Sequence, residues 1–287
     1  MVRKLIRDAI EIFPLLVFIG LTKFMSLQAR SKIAGSVMST MIRINSKLNK
    51  RVIENLNLTM PHQSECETQY FIKKLGRFVG ITFTELLYNF EFQQQVNQFH
   101  YSLQDIKPLV DANKQGKPII IVSAHLGPWE AVRAVLKAHN LTAGAIYKKN
   151  KNQFYEAMHL KAIKLGGEPI FSTGLSGTKR MVKHLKTGGI VAIMLDQAAI
   201  DGEFFDFLGV PAKTTTSVAK IALKLDALVV PSYAIRSESS ESINVYFEKP
   251  IVNTNYQDMT AKLTKSIENR VLANPLQWYW LHRRWKY

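Results

Sequence analysis

From Gly116-Lys117-Pro118 to the C-terminus, short β-branched runs alternate with segments of helical period, and this alternation restricts the possible folds more than any other feature. The strand candidates are Ile119–Ser123, Ala143–Tyr147, Pro169–Phe171, Ile190–Leu195, Leu228–Ile235 and Ile243–Glu248. Between most of them lie helical patterns: Trp129–Ala138, Gln153–Leu165, Ser176–Lys186 and Thr216–Leu225. A last helix, about Tyr256–Ala273, sets Met259, Leu263, Ile267 and Val271 on one face. Strands separated by helices cannot pair as hairpins, so the pattern predicts an α/β fold with a mixed, largely parallel sheet flanked by helices. Residues 28–115 read as helical instead, with apolar positions such as Phe71, Leu75, Phe78 and Val79. The expected organisation is a membrane-associating helical region over 1–50 and an α/β domain over 51–287.

The membrane expectation comes from the N-terminus. Arg3, Lys4 and Arg7 precede an uncharged run, Ile12–Thr22, bracketed by Glu11 and Lys23. Eleven helical residues span about 16 Å, roughly half a hydrocarbon core, so an interfacial helix fits better than a crossing one. A spanning helix with Lys23 snorkelling and an ordinary core helix are the alternatives. The whole chain has 38 Lys and Arg against 22 Asp and Glu, a formal net charge of +16, which points to a polyanionic partner. Its single cysteine, Cys66, excludes a disulfide framework and any cysteine-based metal cluster.

Ligands of open α/β sheets bind beyond the carboxyl ends of strands. The first strand runs directly into Ser123-Ala124-His125-Leu126-Gly127-Pro128-Trp129-Glu130. Gly127 permits a tight turn, and Pro128 suits the start of a helix, where its missing N–H is no loss. His125 in the turn and Glu130 just inside the helix can fold toward each other as a base and its orienting carboxylate. The plainer reading is that both simply hydrogen-bond the loop. The chain has no G-x-S-x-G elbow, P-loop, G-x-G-x-x-G or H-E-x-x-H. A base without a protein nucleophile suggests that the substrate's own hydroxyl attacks. The seven histidines show no ligand spacing, so no metal or tightly bound cofactor is expected.

Four blocks of the sequence, in order, resemble those of the bacterial lipid A biosynthesis acyltransferases, the late lauroyl/myristoyl transferases. These are Asn55-Leu56-Asn57-Leu58 with Pro61; His125 to Glu130 as an H-x4-E motif; Asp196-Gln197 with Phe207-Leu208-Gly209-Val210-Pro211-Ala212 and Thr214–Thr216; and Trp280-Leu281-His282-Arg283-Arg284-Trp285-Lys286. The resemblance implies a glycerolipid-acyltransferase-like fold and an O-acyltransferase. Its reaction would move a fatty acyl chain from acyl-carrier protein to a hydroxyl of a lipid A precursor, at the cytoplasmic face of the bacterial inner membrane. It assigns His125 as general base and Glu130 as its partner. The family usually carries an arginine some thirty residues after the motif; here Lys161 and Lys164 stand there as candidate oxyanion or acceptor contacts. Asp196 matches a family aspartate at a strand end, with acceptor positioning or loop structure as its role.

Nine Lys and Arg between residues 141 and 200 face only Glu156, Glu168 and Asp196 in that stretch, an excess that suits an acidic carrier and a phosphorylated lipid. Trp278, Tyr279, Trp280 and Trp285, interleaved with Arg283, Arg284 and Lys286, suit either a membrane interface or the packing of the C-terminus onto the domain. Acylation of another glycolipid or of a phospholipid is the alternative activity. A non-catalytic nucleic-acid-binding protein has only the net charge in its favour, and no nucleic acid is expected as a partner.

Overall fold

A computed structural model describes residues 2–237, 242–252 and 254–286. Its first part is helical: α1 (Val2–Thr22), α2 (Leu27–Ile44), α3 (Ser46–Thr59), α4 (Glu65–Leu87), α5 (Asn89–Gln93) and α6 (Leu103–Lys114). Polar residues fix the starts of these helices by accepting from otherwise unpaired backbone N–H groups. Ser26 caps α2, Asn45 caps α3, and Ser64 with Glu67 forms a capping box on α4. Within this stretch lies a two-residue strand, β1 (Phe99–His100), too short to leave a period in the sequence.

The α/β part has the expected strands and helices in order, with β6 and β7 in addition: β2 (Ile119–Ser123), α7 (Glu130–Ala138), β3 (Ala143–Tyr147), α8 (Gln153–Gly166), β4 (Ile170–Ser172), α9 (Leu175–Lys186), β5 (Ile190–Met194), β6 (Glu203–Phe207), β7 (Val210–Thr214), α10 (Ser217–Leu225), β8 (Leu228–Arg236), β9 (Ile243–Phe247) and α11 (Tyr256–Ala273). Seven strands form one sheet in the order β1-β9-β8-β2-β5-β3-β4, with every neighbouring pair parallel except β8 and β9. The mixed, largely parallel sheet is therefore present. Strands β6 and β7 form a separate hairpin around Leu208-Gly209, both at positive φ. Pro211 and the charged Glu203, Asp206 and Lys213 break the apolar run that would have marked it as strand.

Because successive strand residues point to opposite faces, the central strand β2 supplies both cores. Ile120 and Val122 pack with Ile72, Leu75, Leu263, Ile267 and Trp278. Ile119 and Ile121 pack with Leu109, Val132, Val135 and Leu136 on the other side. Trp278 and Trp280 are fully buried, so of the two readings for the C-terminal aromatics the packing one holds at these positions.

Helix α1 extends well before the uncharged run. Ile6, Ile10, Phe13, Val17 and Leu21 form an exposed stripe, while Asp8, Ile12 and Thr22 are buried against the protein. Asp8 accepts from the Gln153 N–H at 3.3 Å and from Asn152 Nδ2 at 2.7 Å, seating α1 on the start of α8. Among the described residues no helix is long and apolar enough to cross a membrane.

Candidate active site

Strands β2 and β5 are parallel neighbours with Ser123 opposite Met194. The chain leaves β2 through Ala124 to His125, and leaves β5 through Leu195 to Asp196, so the two polar residues emerge side by side at the same sheet end. The Leu195 N–H still donates to the Ser123 carbonyl at 3.0 Å, extending the register past the strands. His125 Nδ1 then lies 2.9 Å from Asp196 Oδ1, and the His125 backbone N–H donates to Oδ2 at 3.1 Å. Trp278 Nε1 donates to the same Oδ2 at 2.8 Å.

Burial alone would push the Asp196 carboxyl up. The His125 charge and the hydrogen bonds from His125 and Trp278 outweigh it, holding this carboxyl below its ordinary range. Against an ionised Asp196, His125 Nδ1 is the donor of this 2.9 Å hydrogen bond. The imidazole is one-quarter exposed and lines a cavity of about 320 Å³ at the carboxyl ends of the strands. Trp129, edge-on at 5.3 Å between centroids, packs beside the ring.

Gly127 makes the turn after His125 possible. It sits at φ +57°, and a Cβ there would overlap the Ala234 carbonyl oxygen. Its N–H donates to the Gln277 carbonyl, and the Tyr279 N–H donates to the His125 carbonyl, both at 3.0 Å. The C-terminal segment thus clamps the histidine loop.

The structure does not join Glu130 to His125 by a hydrogen bond. Glu130 lines the same cavity, but its carboxylate sits 3.1 and 3.0 Å from Arg133 Nη1 and 3.3 Å from Asn89 Nδ2. It opens α7, and residues three apart on a helix are neighbours, so Arg133 on the next turn captures it. Arg133 also donates to the carbonyls of Ala143, Ile163 and Gly167, tying α7 to β3 and to the end of α8. Gly166 leaves the room for this, since a Cβ there would overlap Glu130 Oε2.

Lys161 and Lys164 are both exposed, and neither lines the cavity that holds His125. Helix α8 turns His159 and Ile163 inward, and Lys161 lies about 200° around the helix from His159. Lys164 pairs with Glu168 at 3.0 Å. Among the described residues no group of three or more His, Cys, Asp or Glu is arranged to hold a metal ion.

The remaining sequence blocks support the Asp196 loop. Asn55 Nδ2 donates to the carbonyls of Trp280 and His282 at 2.8 and 3.0 Å. His282 Nε2 accepts from the Ala198 N–H at 3.1 Å, and buried Arg284 donates to Gln197 O at 3.3 Å and Thr214 Oγ1 at 2.5 Å. The link between His125 and Asp196 could have been read from two strands that each end two residues before a polar side chain, had their adjacency been known. Asn89 and Trp278 left no such signal.

The model of the family described as bacterial lipid A biosynthesis acyltransferase matches residues 5–287. The lipid A biosynthesis palmitoleoyltransferase of Escherichia coli (strain K12) is 21% identical over 238 residues, covering 81% of this chain and 77% of that protein. The lipid A biosynthesis acyltransferase of Shigella flexneri aligns with the same identity and coverage. With its motif blocks gathered around one histidine–aspartate pair and the match running over nearly its whole length, the chain belongs to the bacterial lipid A biosynthesis acyltransferases.

Proposed function

We propose that this acyltransferase moves a fatty acyl chain from acyl-carrier protein to a hydroxyl of a lipid A precursor, at the cytoplasmic face of the bacterial inner membrane. The observation that carries the chemistry is the His125–Asp196 pair, with the His125 ring lining a cavity that Leu86, Ile146, Ile163 and Ile193 also line. His125 Nε2 takes the proton of the acceptor hydroxyl as its oxygen attacks the thioester carbonyl. The tetrahedral intermediate collapses, the C–S bond breaks, and the imidazolium returns the proton to the departing thiolate. The products are an ester and a free thiol. Asp196 stabilises the imidazolium and holds the tautomer that leaves Nε2 basic. Glu130 acts through Arg133, keeping the cavity wall in place beside the histidine.

The membrane reading is supported by the exposed stripe Ile6, Ile10, Phe13, Val17 and Leu21 with Arg3, Lys4 and Arg7 beside it. The acidic carrier is supported by the excess of Lys and Arg between residues 141 and 200, of which Lys148 lines the cavity.

One assay tests this reading. Purified protein is incubated in vesicles with labelled acyl-carrier protein and, in separate arms, a hydroxyacyl lipid A precursor, a mannolipid and a glycerophosphate lipid. Product masses should show one added acyl chain on the lipid A precursor, and His125→Ala should lose transfer by several orders of magnitude while remaining folded. Product only in another arm would reassign the acceptor. Near-normal turnover by the folded His125→Ala protein would remove the histidine from the mechanism.

A further inference from the structure

Helix α8 presents a second imidazole, His159, to the cavity that His125 lines. Its surroundings define its tautomer. Asn150 Nδ2 lies 2.8 Å from His159 Nδ1 and 3.3 Å from Glu156 Oε2. The Glu156 carboxylate also accepts from the Asn150 N–H at 2.8 Å and from the Tyr147 hydroxyl at 2.9 Å. Burial would raise this carboxyl, but these donors hold it below its ordinary range, so it is an ionised acceptor. The Asn150 atom beside it must therefore be the amide nitrogen, whose second hydrogen points to His159 Nδ1. With Nδ1 accepting, the hydrogen of the neutral ring sits on Nε2. Burial lowers the His159 pKa against the pull of Glu156 and Glu130, which keeps the ring neutral. Tyr155 stacks on it at 5.5 Å and 18°, fixing the ring plane.

We propose that His159 Nε2–H is an oxyanion donor of this site, a neutral imidazole that hydrogen-bonds the thioester carbonyl oxygen as it gains negative charge. The assignment rests on the acyl-transfer reading above. As the acceptor oxygen forms its bond to the carbonyl carbon, the C=O π pair moves onto oxygen and His159 donates a hydrogen bond without giving up its proton. When the C–S bond breaks, the C=O bond re-forms, and His159 ends as it began. A neutral donor has an advantage over a lysine, because it places no positive charge where it would oppose protonation of His125. Lys148, the lysine in the lining, would bring such a charge to the cavity. Lys161 and Lys164 lie outside the cavity lining, and Arg133 is committed to Glu130 and three backbone carbonyls.

The test uses the purified full chain in vesicles with lauroyl-acyl-carrier protein and a hydroxyacyl lipid A precursor. His159→Phe keeps the stacked ring but not the donor, and should lower kcat by about 10²–10³ with KM little changed. His159→Gln loses the ring but offers an amide N–H, and should retain at least about tenfold more turnover than His159→Phe. Ring ¹⁵N shifts of the wild-type protein should report Nε2–H and hold to mildly acidic pH. Transfer by the wild type with His159→Phe within about threefold of it overturns this assignment and leaves the acyl-transfer reading intact. A His159→Gln protein as inactive as His159→Phe, or an Nδ1–H tautomer, also overturns it. Absence of transfer by the wild type overturns both.

Discussion

Trp278 donates its indole N–H to Oδ2 of Asp196 at 2.8 Å, joining the C-terminal segment to the carboxylate that faces His125. The Asp196 side chain is fully enclosed, so each of its hydrogen bonds counts toward keeping it charged. Asp196→Asn should leave the fold intact but favour the wrong histidine tautomer, lowering kcat by about 10³–10⁴. Trp278→Phe preserves the aromatic packing and removes one donor to a charged acceptor. A hydrogen bond of that kind is worth about 1.5–3 kcal/mol, so a loss of about 10–100-fold is expected. Steady-state kinetics of the two purified variants check the order; equal activity of Asp196→Asn and wild type would separate the aspartate from the chemistry.

Glu130 and Arg133 form a buried ion pair, and removing one charge strands the other. Glu130→Ala should therefore cost about 3–5 kcal/mol of stability, as should Arg133→Ala. His125→Ala, on a partly exposed side chain, should change stability far less. Thermal melts of the three variants distinguish a wall-building glutamate from one whose loss harms chemistry alone. An unchanged melting temperature for Glu130→Ala would count against the pair's structural role.

His282 is held below the ordinary imidazole value chiefly by burial, against the pull of Asp196, with His125, Arg284 and Arg51 adding to the depression. His159 is displaced the same way. A histidine lowered in the folded state binds fewer protons there than in the unfolded chain. Its stabilisation is full above about pH 6.5 and fades as pH falls toward the folded value. The melting temperature should drop as pH falls below about 6.5. His282→Gln, whose amide oxygen can accept the Ala198 N–H in place of Nε2, should flatten part of that slope. Asp196, lowered likewise, follows the carboxylate window and loses its contribution only below about pH 4.

Gly127→Ala places a methyl group where the backbone is left-handed and the Ala234 carbonyl already sits. Strain of this kind is of order 1–3 kcal/mol, and the turn carries His125. The variant should lose both stability and turnover, the latter more than a stability change alone explains. Retention of wild-type kcat would mean the loop adapts without moving the imidazole.

Much of the architecture was legible in the residues alone. Ile119–Ser123, Ala143–Tyr147 and Tyr256–Ala273 have the bounds their patterns indicate, because a buried parallel strand must be continuously apolar and an amphipathic helix must repeat its apolar face. The place of His125, in a glycine turn at a strand's carboxyl end, was legible too. Glu130 was visible as its neighbour in sequence, but not its commitment to Arg133, because hydrogen-bond partners are chosen by side-chain geometry on the helix.

What the sequence by itself determined is the alternation of the main-sheet strands from Ile119 onward with their helices, the family motifs, and the place of His125 just beyond the first of those strands. Only the tertiary structure decided which carboxylate meets that histidine. Asp196 is 71 residues away along the chain and reaches His125 only because β2 and β5 pair in parallel with Ser123 opposite Met194. Local periodicity encodes which residues become strands. Which strands become neighbours, and in what register, is settled by how two helical layers and a sheet bury their apolar faces together, and no local stretch of sequence carries that information.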